Sequence, residues 1–277
     1  MNDVYRIQTK SQDYCLRVHN PCDLVFGTGF FSKESFDFEM SFLNDLYHFF
    51  LPKGIILQKP VRDHSGSYVV ELQNNSFATM VTWIEGNSID LDGATENDYY
   101  CIGRLLASLH KFGKKYASSH KTPRQYFDEK RLEMFIYRVK KGYKLGTYSR
   151  KILNIVINES EEIINRINEL YRIENSMGII HGDFYLYNLL KSKNSIIPID
   201  FGLCTKGFYY QDLASICNEQ CDSVLRKCFL EAYQESMGVD ISNRYLSALQ
   251  GYLTLFFLAG NYHNPDDYSW VETLLYE

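Results

Sequence analysis

The chain has 277 residues, enough for one large or two small folding units, and 45% of them are hydrophobic. It has no low-complexity tract and no long Pro/Gly/Ser stretch, which excludes a disordered or fibrous protein. The formal net charge of −5 leaves no nucleic-acid footprint, and no apolar run approaches the roughly 18–20 residues of a membrane span.

The opening MNDVYRIQTK alternates polar and apolar residues and does not run from basic to apolar, so it reads as a strand and not as a secretory leader. A cytoplasmic protein is expected. VYRIQT (4–9) and YCLRVH (14–19) flank a turn-like KSQD and read as a hairpin. The glycine-bearing PCDLVFGTGFFSKES follows as a loop. Phe36, Met40, Leu43, Tyr47 and Phe50 then recur at helical spacing, with Ser32 or Ser35 as cap and Glu39 inside the helix. GIILQKPV, GSYVVELQ and FATMVTWI each read as a strand. One helix on a small antiparallel sheet is thus expected for residues 1–85, with Gly86 opening a connector.

Beyond it the pattern turns helical. Thr95 and Asp98 form a capping-box pair ahead of Ile102, Leu105, Leu106, Leu109 and Phe112, and Gly113 marks a stop. Further helices fit 126–142, 148–156 and 158–173, the last capped by Asn158. NLLKSKNSIIPID interrupts them as a small hairpin, whose Pro198 belongs at an edge because it cannot donate to a ladder. From 211 onward the helical pattern returns.

Two features of composition bear on ligands. Seven cysteines without a Cys-x-x-Cys pair fit reduced thiols; Cys217, Cys221 and Cys228 are close enough for a metal site, but buried free thiols are expected. Between Lys111 and Lys151 stand 13 Lys and Arg against 3 Asp and Glu, read first as a solvated helical face and second as a wall attracting an anion.

Asp183, Asn188 and Asp200 lie in or beside strongly apolar runs, where an isolated carboxylate would be costly by several kcal/mol unless paired or metal-bound. Asp183 and Asn188 are five residues apart, and the hairpin returns Asp200 beside Asn188. Phosphoryl transfer needs this set: a carboxylate to accept the proton of the attacking hydroxyl, and an Asn oxygen with a second carboxylate to hold Mg²⁺ against nucleotide phosphates. The order H-x-D-x-x-x-x-N, then D-F-G, is that of protein kinases.

With Gly182 inside His181-Gly182-Asp183, the chain resembles the aminoglycoside phosphotransferase and choline kinase superfamily. Gly207 with Asp212-Leu213-Ala214 matches its G…DLA, and LLASLHKF around His110 matches its LAxLH helix. The resemblance implies a bilobal, protein-kinase-like α+β fold, with a nucleotide-binding N-lobe (1–85) and a mainly helical C-lobe (86–277). It implies Asp183 as catalytic base and Asn188 and Asp200 as metal ligands. Arg17 takes the place of the strand cation, usually Lys, that meets the nucleotide, and Glu39 that of its helical partner. Val81 and Trp83 fall at the strand end that contacts adenine, while His181 and Asp212 support the loop. ATP or GTP, Mg²⁺ and a small-molecule alcohol are the implied partners, with neither nucleic acid nor membrane.

In the family a strand and a glycine loop covering the phosphates precede the hairpin, whereas three residues precede Val4 here. Either that cover is absent or FGTGFFSKES substitutes for it. A protein kinase is disfavoured by Gly182 in place of Arg and by only nine residues between DFG and DLA. Aminoglycosides, choline or other amino alcohols, and sugars stay open as acceptors. A catalytically inactive nucleotide-binding module is the alternative of another class, although such a module has no physical need for Asp183.

Overall fold

A computed structural model describes residues 2–21, 28–124, 128–192, 195–219 and 222–271. The N-terminal hairpin is β1 (Asn2–Ile7) and β2 (Tyr14–His19), antiparallel with Arg17 opposite Val4. Together with β3 (Val69–Glu71) and β4 (Phe77–Thr82) it forms a four-stranded antiparallel sheet in the order β1-β2-β4-β3. Along β2 every second residue is buried: Cys15, Arg17 and His19. That period of two directs the Arg17 side chain to the face covered by α1 (Lys33–Phe50).

Helix α1 starts where the Ser32 hydroxyl accepts the Ser35 N–H at 3.2 Å. Its buried stripe of Phe36, Met40, Leu43 and Leu46 stabilises the lobe by about 1.5–3 kcal/mol per fully covered side chain. Glu39 lies inside this stripe, 1% exposed, and so requires partners. GIILQKPV does not form the expected strand. It runs beside β4, with Val61 N–H on the Met80 carbonyl and Thr82 N–H on the Lys59 carbonyl, but Pro60 between them has no donor and the ladder is a single bridge. Of FGTGFFSKES, the first two residues lie outside the described residues; the rest forms a short 3₁₀ turn, Thr28–Phe30, leading into α1.

β5 (Asn87–Ser88) pairs not with the first sheet but with the hairpin β7 (Leu189–Ser192) and β8 (Ser195–Pro198). Residues 83–86 therefore make the crossing between the two sheets. Pro198 lies on β8, at the edge of the three-stranded sheet, as its missing N–H requires. The tip residues 193 and 194 lie outside the described residues.

The capping box holds: Thr95 and Asp98 exchange both bonds and start α2 (Glu96–Ser119). The expected stop at Gly113 does not occur. A Cβ there would lie 2.0 Å from the Ile179 carbonyl oxygen, so this glycine allows close approach between α2 and β6 (Met177–Ile180), and the helix runs six residues further. Helix α3 is Glu129–Leu145. The two helices expected at 148–156 and 158–173 are one, α4 (Arg150–Leu170), capped by Ser149; Asn158 is an exposed mid-helix residue.

Strand β9 (Thr205–Phe208), not foreseen, pairs antiparallel with β6. α5 (Tyr209–Cys217), α6 (Ser223–Met237) and α7 (Asn243–Gly260) complete the lobe, and the apolar face of α7 packs on α3, α4 and α5. Among the described residues no helix is long and apolar enough to cross a membrane. The basic stretch mostly faces solvent, but two of its members, Arg124 and Arg131, are buried. Cys15, Cys101, Cys204 and Cys228 are free thiols; Cys22 and Cys221 lie outside the described residues.

Candidate active site

β6 ends at Ile180 and β9 begins at Thr205, and their pairing closes the intervening chain into a loop over the C-lobe. The hairpin β7–β8 folds that loop once more. Leu189 faces Pro198, and Ile199 N–H donates to the Asn188 carbonyl at 2.9 Å, so Asp200 emerges beside Asn188. Asp183, Asn188 and Asp200 are thereby brought together.

Asn188 Nδ2 donates to both the Asp183 carbonyl and Asp183 Oδ2, each at 2.9 Å. Both amide hydrogens are then used, which fixes the amide orientation and leaves its oxygen as the group available to a cation. The Tyr187 hydroxyl donates to Asp183 Oδ1 at 3.0 Å. Burial pushes the Asp183 carboxyl up and the Asp200 charge adds to the rise, while His181, Tyr187 and Asn188 oppose it. A carboxylate so placed is a stronger base than a free one.

Asp200 differs from the expectation drawn from its apolar flanks, because its side chain is 51% exposed. It sits in the left-handed region, φ 58° and ψ 68°, at a cost of about 1–3 kcal/mol, and accepts the Gly202 N–H at 3.3 Å. A carboxylate and an amide oxygen, both hard donors, fit an Mg²⁺ that takes its other ligands from phosphate and water.

Arg17, 8% exposed, reaches Glu39 Oε1 through Nη2 at 2.5 Å and Asp200 Oδ1 through Nη1 at 3.5 Å. The second oxygen of Glu39 is held by Arg124 Nη2 at 2.9 Å. Burial would push the Glu39 carboxyl up, but the two guanidiniums outweigh it and hold it at about 2. Removing one partner from such a buried set costs about 3–5 kcal/mol. Val81 lies in the β4 ladder at 1% exposure, and the Trp83 N–H donates to the Asp13 carbonyl at 2.9 Å. Arg6 lies over the Trp83 ring, 4.6 Å from its centroid, and bridges Asp13 and Glu85.

The loop is held from beneath. Asp212, fully buried, accepts the Gly182 N–H on Oδ1 and the His181 N–H on Oδ2, each at 2.8 Å, with His110 Nε2 also on Oδ2 at 3.1 Å. Burial holds the His110 imidazole neutral, with Asp212 opposing, and its Nδ1 meets the Tyr233 hydroxyl at 2.7 Å. His181 Nε2 lies 3.0 Å from the Ile199 carbonyl, which can only accept; its Nδ1 takes the Asp183 N–H at 3.3 Å. Both ring nitrogens are committed, so His181 orders the loop. Gly182 has φ 82°, and a Cβ there would lie 2.4 Å from the Leu203 carbonyl oxygen, which explains why no larger residue stands between His181 and Asp183.

Three residues escaped the sequence reading: Arg124, Tyr187 and Glu219. Arg124 looks like one more charge of a basic run, and only the Pro123 before it marks a fixed turn. The Tyr185 and Tyr187 rings stack at 5.4 Å, and Glu219 Oε1 accepts the Leu186 N–H at 3.1 Å. Burial and then Asp183 push the Tyr185 phenol up, and burial likewise pushes the Glu219 carboxyl up, with the Leu186 N–H opposing.

The Tyr187 bond makes a pH prediction. It favours the ionised form of Asp183, so Tyr187→Phe should raise the Asp183 pKa. The acid limb of a kcat/KM profile should move to higher pH while kcat at the plateau stays within a few-fold. A limb that stays put, or moves down, would show that the phenol does not act on Asp183.

A family model described as "Phosphotransferase enzyme family" matches residues 1–245. The chain belongs to this family. Curated relatives include a "Protein LicA homolog" of Metamycoplasma hominis, 25% identical over 174 residues, which cover 62% of this chain and 61% of that one. An amicoumacin kinase of Bacillus subtilis is 21% identical over 218 residues, 77% of this chain and 59% of that one. The chain thus matches about three-fifths of the length of these relatives.

Solved structures share the phosphotransferase fold. A microcompartment-associated aminopropanol kinase superposes with a TM-score of 0.70 at 16% identity, covering 99% of this chain and 85% of that one. The amicoumacin kinase hAmiN, in complex with AMP-PNP, Ca²⁺ and Ami, gives 0.68 at 15% identity, with 99% and 83% covered. A choline kinase of Cryptosporidium parvum gives 0.64 at 14%, with 99% and 87% covered. The α+β, protein-kinase-like architecture is thereby established.

Proposed function

We propose that this protein transfers the terminal phosphoryl group of ATP or GTP to a hydroxyl of a small molecule. The observation that carries the reading is the Asp183–Asn188 pair: a base with raised pKa, locked by an amide whose oxygen remains for a metal, one hairpin away from Asp200. The acceptor hydroxyl gives its proton to Asp183 as its oxygen bonds to the γ-phosphorus, and the bond from that phosphorus to the bridging β-γ oxygen breaks. Asn188 and Asp200 would hold Mg²⁺, which when bound neutralises phosphate charge. Arg17, anchored by Glu39, supplies a guanidinium to the phosphates. The adenine or guanine ring would lie along the crossing that Val81 and Trp83 begin. A module that only binds nucleotide has no use for a desolvated base in this position.

The stacked Tyr185 and Tyr187 rings, with the Asp183 and Glu219 carboxyls beside them, favour an acceptor carrying an ammonium group, hence an amino alcohol or aminoglycoside over a neutral sugar. The names aminopropanol kinase and choline kinase carry the same chemistry. The test is a phosphate-transfer screen with ATP and GTP against amino alcohols, aminoglycosides and sugars. Transfer to ammonium-bearing alcohols is expected, and Asp200→Ala should abolish its Mg²⁺ dependence along with turnover. Failure of the wild type to bind either nucleotide would sink the reading.

A further inference from the structure

Arg124 is only 2% exposed, yet it bonds to both groups that flank the phosphate site. On one side Nε donates to Ser35 Oγ at 2.8 Å, and Nη2 to the Ser35 carbonyl at 3.1 Å and Glu39 Oε2 at 2.9 Å. On the other side Nη1 donates to the carbonyls of Gly202 at 3.0 Å and Cys204 at 2.8 Å, just past Asp200. One guanidinium therefore ties the first turns of α1 to the chain that leaves the metal site.

Its effect on Arg17 is more specific. Arginine and carboxylate pairs frequently close into a two-point fork. Arg17 does not do so: it meets Glu39 through Nη2 only, while Nη1 turns to Asp200 and Nε has no hydrogen-bond partner among the described residues. The oxygen that would complete the fork, Oε2, accepts from Arg124 and from no Arg17 nitrogen, and the pull of two guanidiniums on opposite oxygens sets how the Glu39 carboxylate is turned.

We propose that Arg124 is a positioning residue for Arg17: by holding Glu39 Oε2 it turns the carboxylate away from a two-point fork and keeps the far end of the Arg17 guanidinium directed toward the nucleotide phosphates. A lysine at position 17 would present a single nitrogen and could not be captured in this way. Arg17 and Arg124 are thus a matched pair, in which the fork geometry of one calls for the other. The inference rests on the phosphotransferase reading above.

A cycle of four proteins tests it: wild type, Arg124→Met, Arg17→Lys and the double variant. Binding of a fluorescent ADP analogue without metal is measured beside KM and kcat for ATP, with thermal unfolding as the control for folding. With the native Arg17 in place, Arg124→Met is expected to weaken nucleotide binding at least tenfold, mainly in KM. When Arg17→Lys is already present, the same change is expected to cost no more than twofold. Equal losses in both backgrounds would mean that Arg124 only stabilises the fold, and would overturn the proposal.

If Arg124→Met does not fold, Arg124→Lys carries the same comparison, because a lysine can hold Oε2 while giving up the carbonyls. It should lower the melting temperature yet keep nucleotide affinity within threefold; a tenfold loss that is the same with arginine or lysine at position 17 overturns the proposal. Absence of nucleotide binding by the wild type is a separate outcome, seen before any variant is compared, and removes the underlying reading as well.

Discussion

Asp183→Asn should lower turnover by about 10²–10⁴-fold while leaving nucleotide affinity within a few-fold. The amide keeps the size and planarity of the carboxylate and can still accept the Tyr187 hydroxyl; it gives up the bond from Asn188 Nδ2, which keeps its bond to the Asp183 carbonyl. What it loses is the capacity to take a proton. In the proposed reading nucleotide affinity is set elsewhere, by Arg17, Asp200 and the crossing between the sheets, and it is measured separately by titration with ATP. Turnover that persists at the wild-type level would remove Asp183 as the base. A large loss of nucleotide binding would show that the substitution acts through the fold.

The second large effect is on stability. Asp212→Ala should destabilise the protein by about 4 kcal/mol, because it strands the His181 and Gly182 amides and the His110 ring N–H, each costing about 1–3 kcal/mol when buried without a partner. With about 2–4 °C of melting temperature per kcal/mol in chains approaching this size, a fall of roughly 8–15 °C is expected. Asp212→Asn retains one acceptor and should fall between the alanine variant and the wild type. A decrease below about 3 °C for the alanine variant would mean that water replaces the carboxylate at little cost.

The parts legible in the sequence are those whose determinants are local. Thr95 and Asp98 sit three residues apart, and a capping box needs only that spacing. Asp183, Asn188 and Asp200 are joined by one short loop and one hairpin, so covalent connection alone brings them together. Residues whose roles are set across the fold were misread or missed. Gly113 resembles a helix stop until the Ile179 carbonyl that it admits is in place. Asn158 resembles a cap, yet Ser149 starts a helix whose buried face runs unbroken through it. Arg124 finds Glu39 and Cys204 at separations of 85 and 80 residues, so nothing in its neighbourhood announces them.

The same distances govern how the loop acquires its shape during folding. His110 meets Asp212 across 102 residues, and Asp212 meets the His181 amide across 31. The His181–Gly182 end of the loop lies outside the β7–β8 hairpin and cannot be held before α2 and α5 have docked, because the entropy of closing those long segments is regained only when all three are in place. Activity in a refolding experiment should therefore return with the slowest phase of C-lobe assembly, and a chain caught midway would hold helices without a working site.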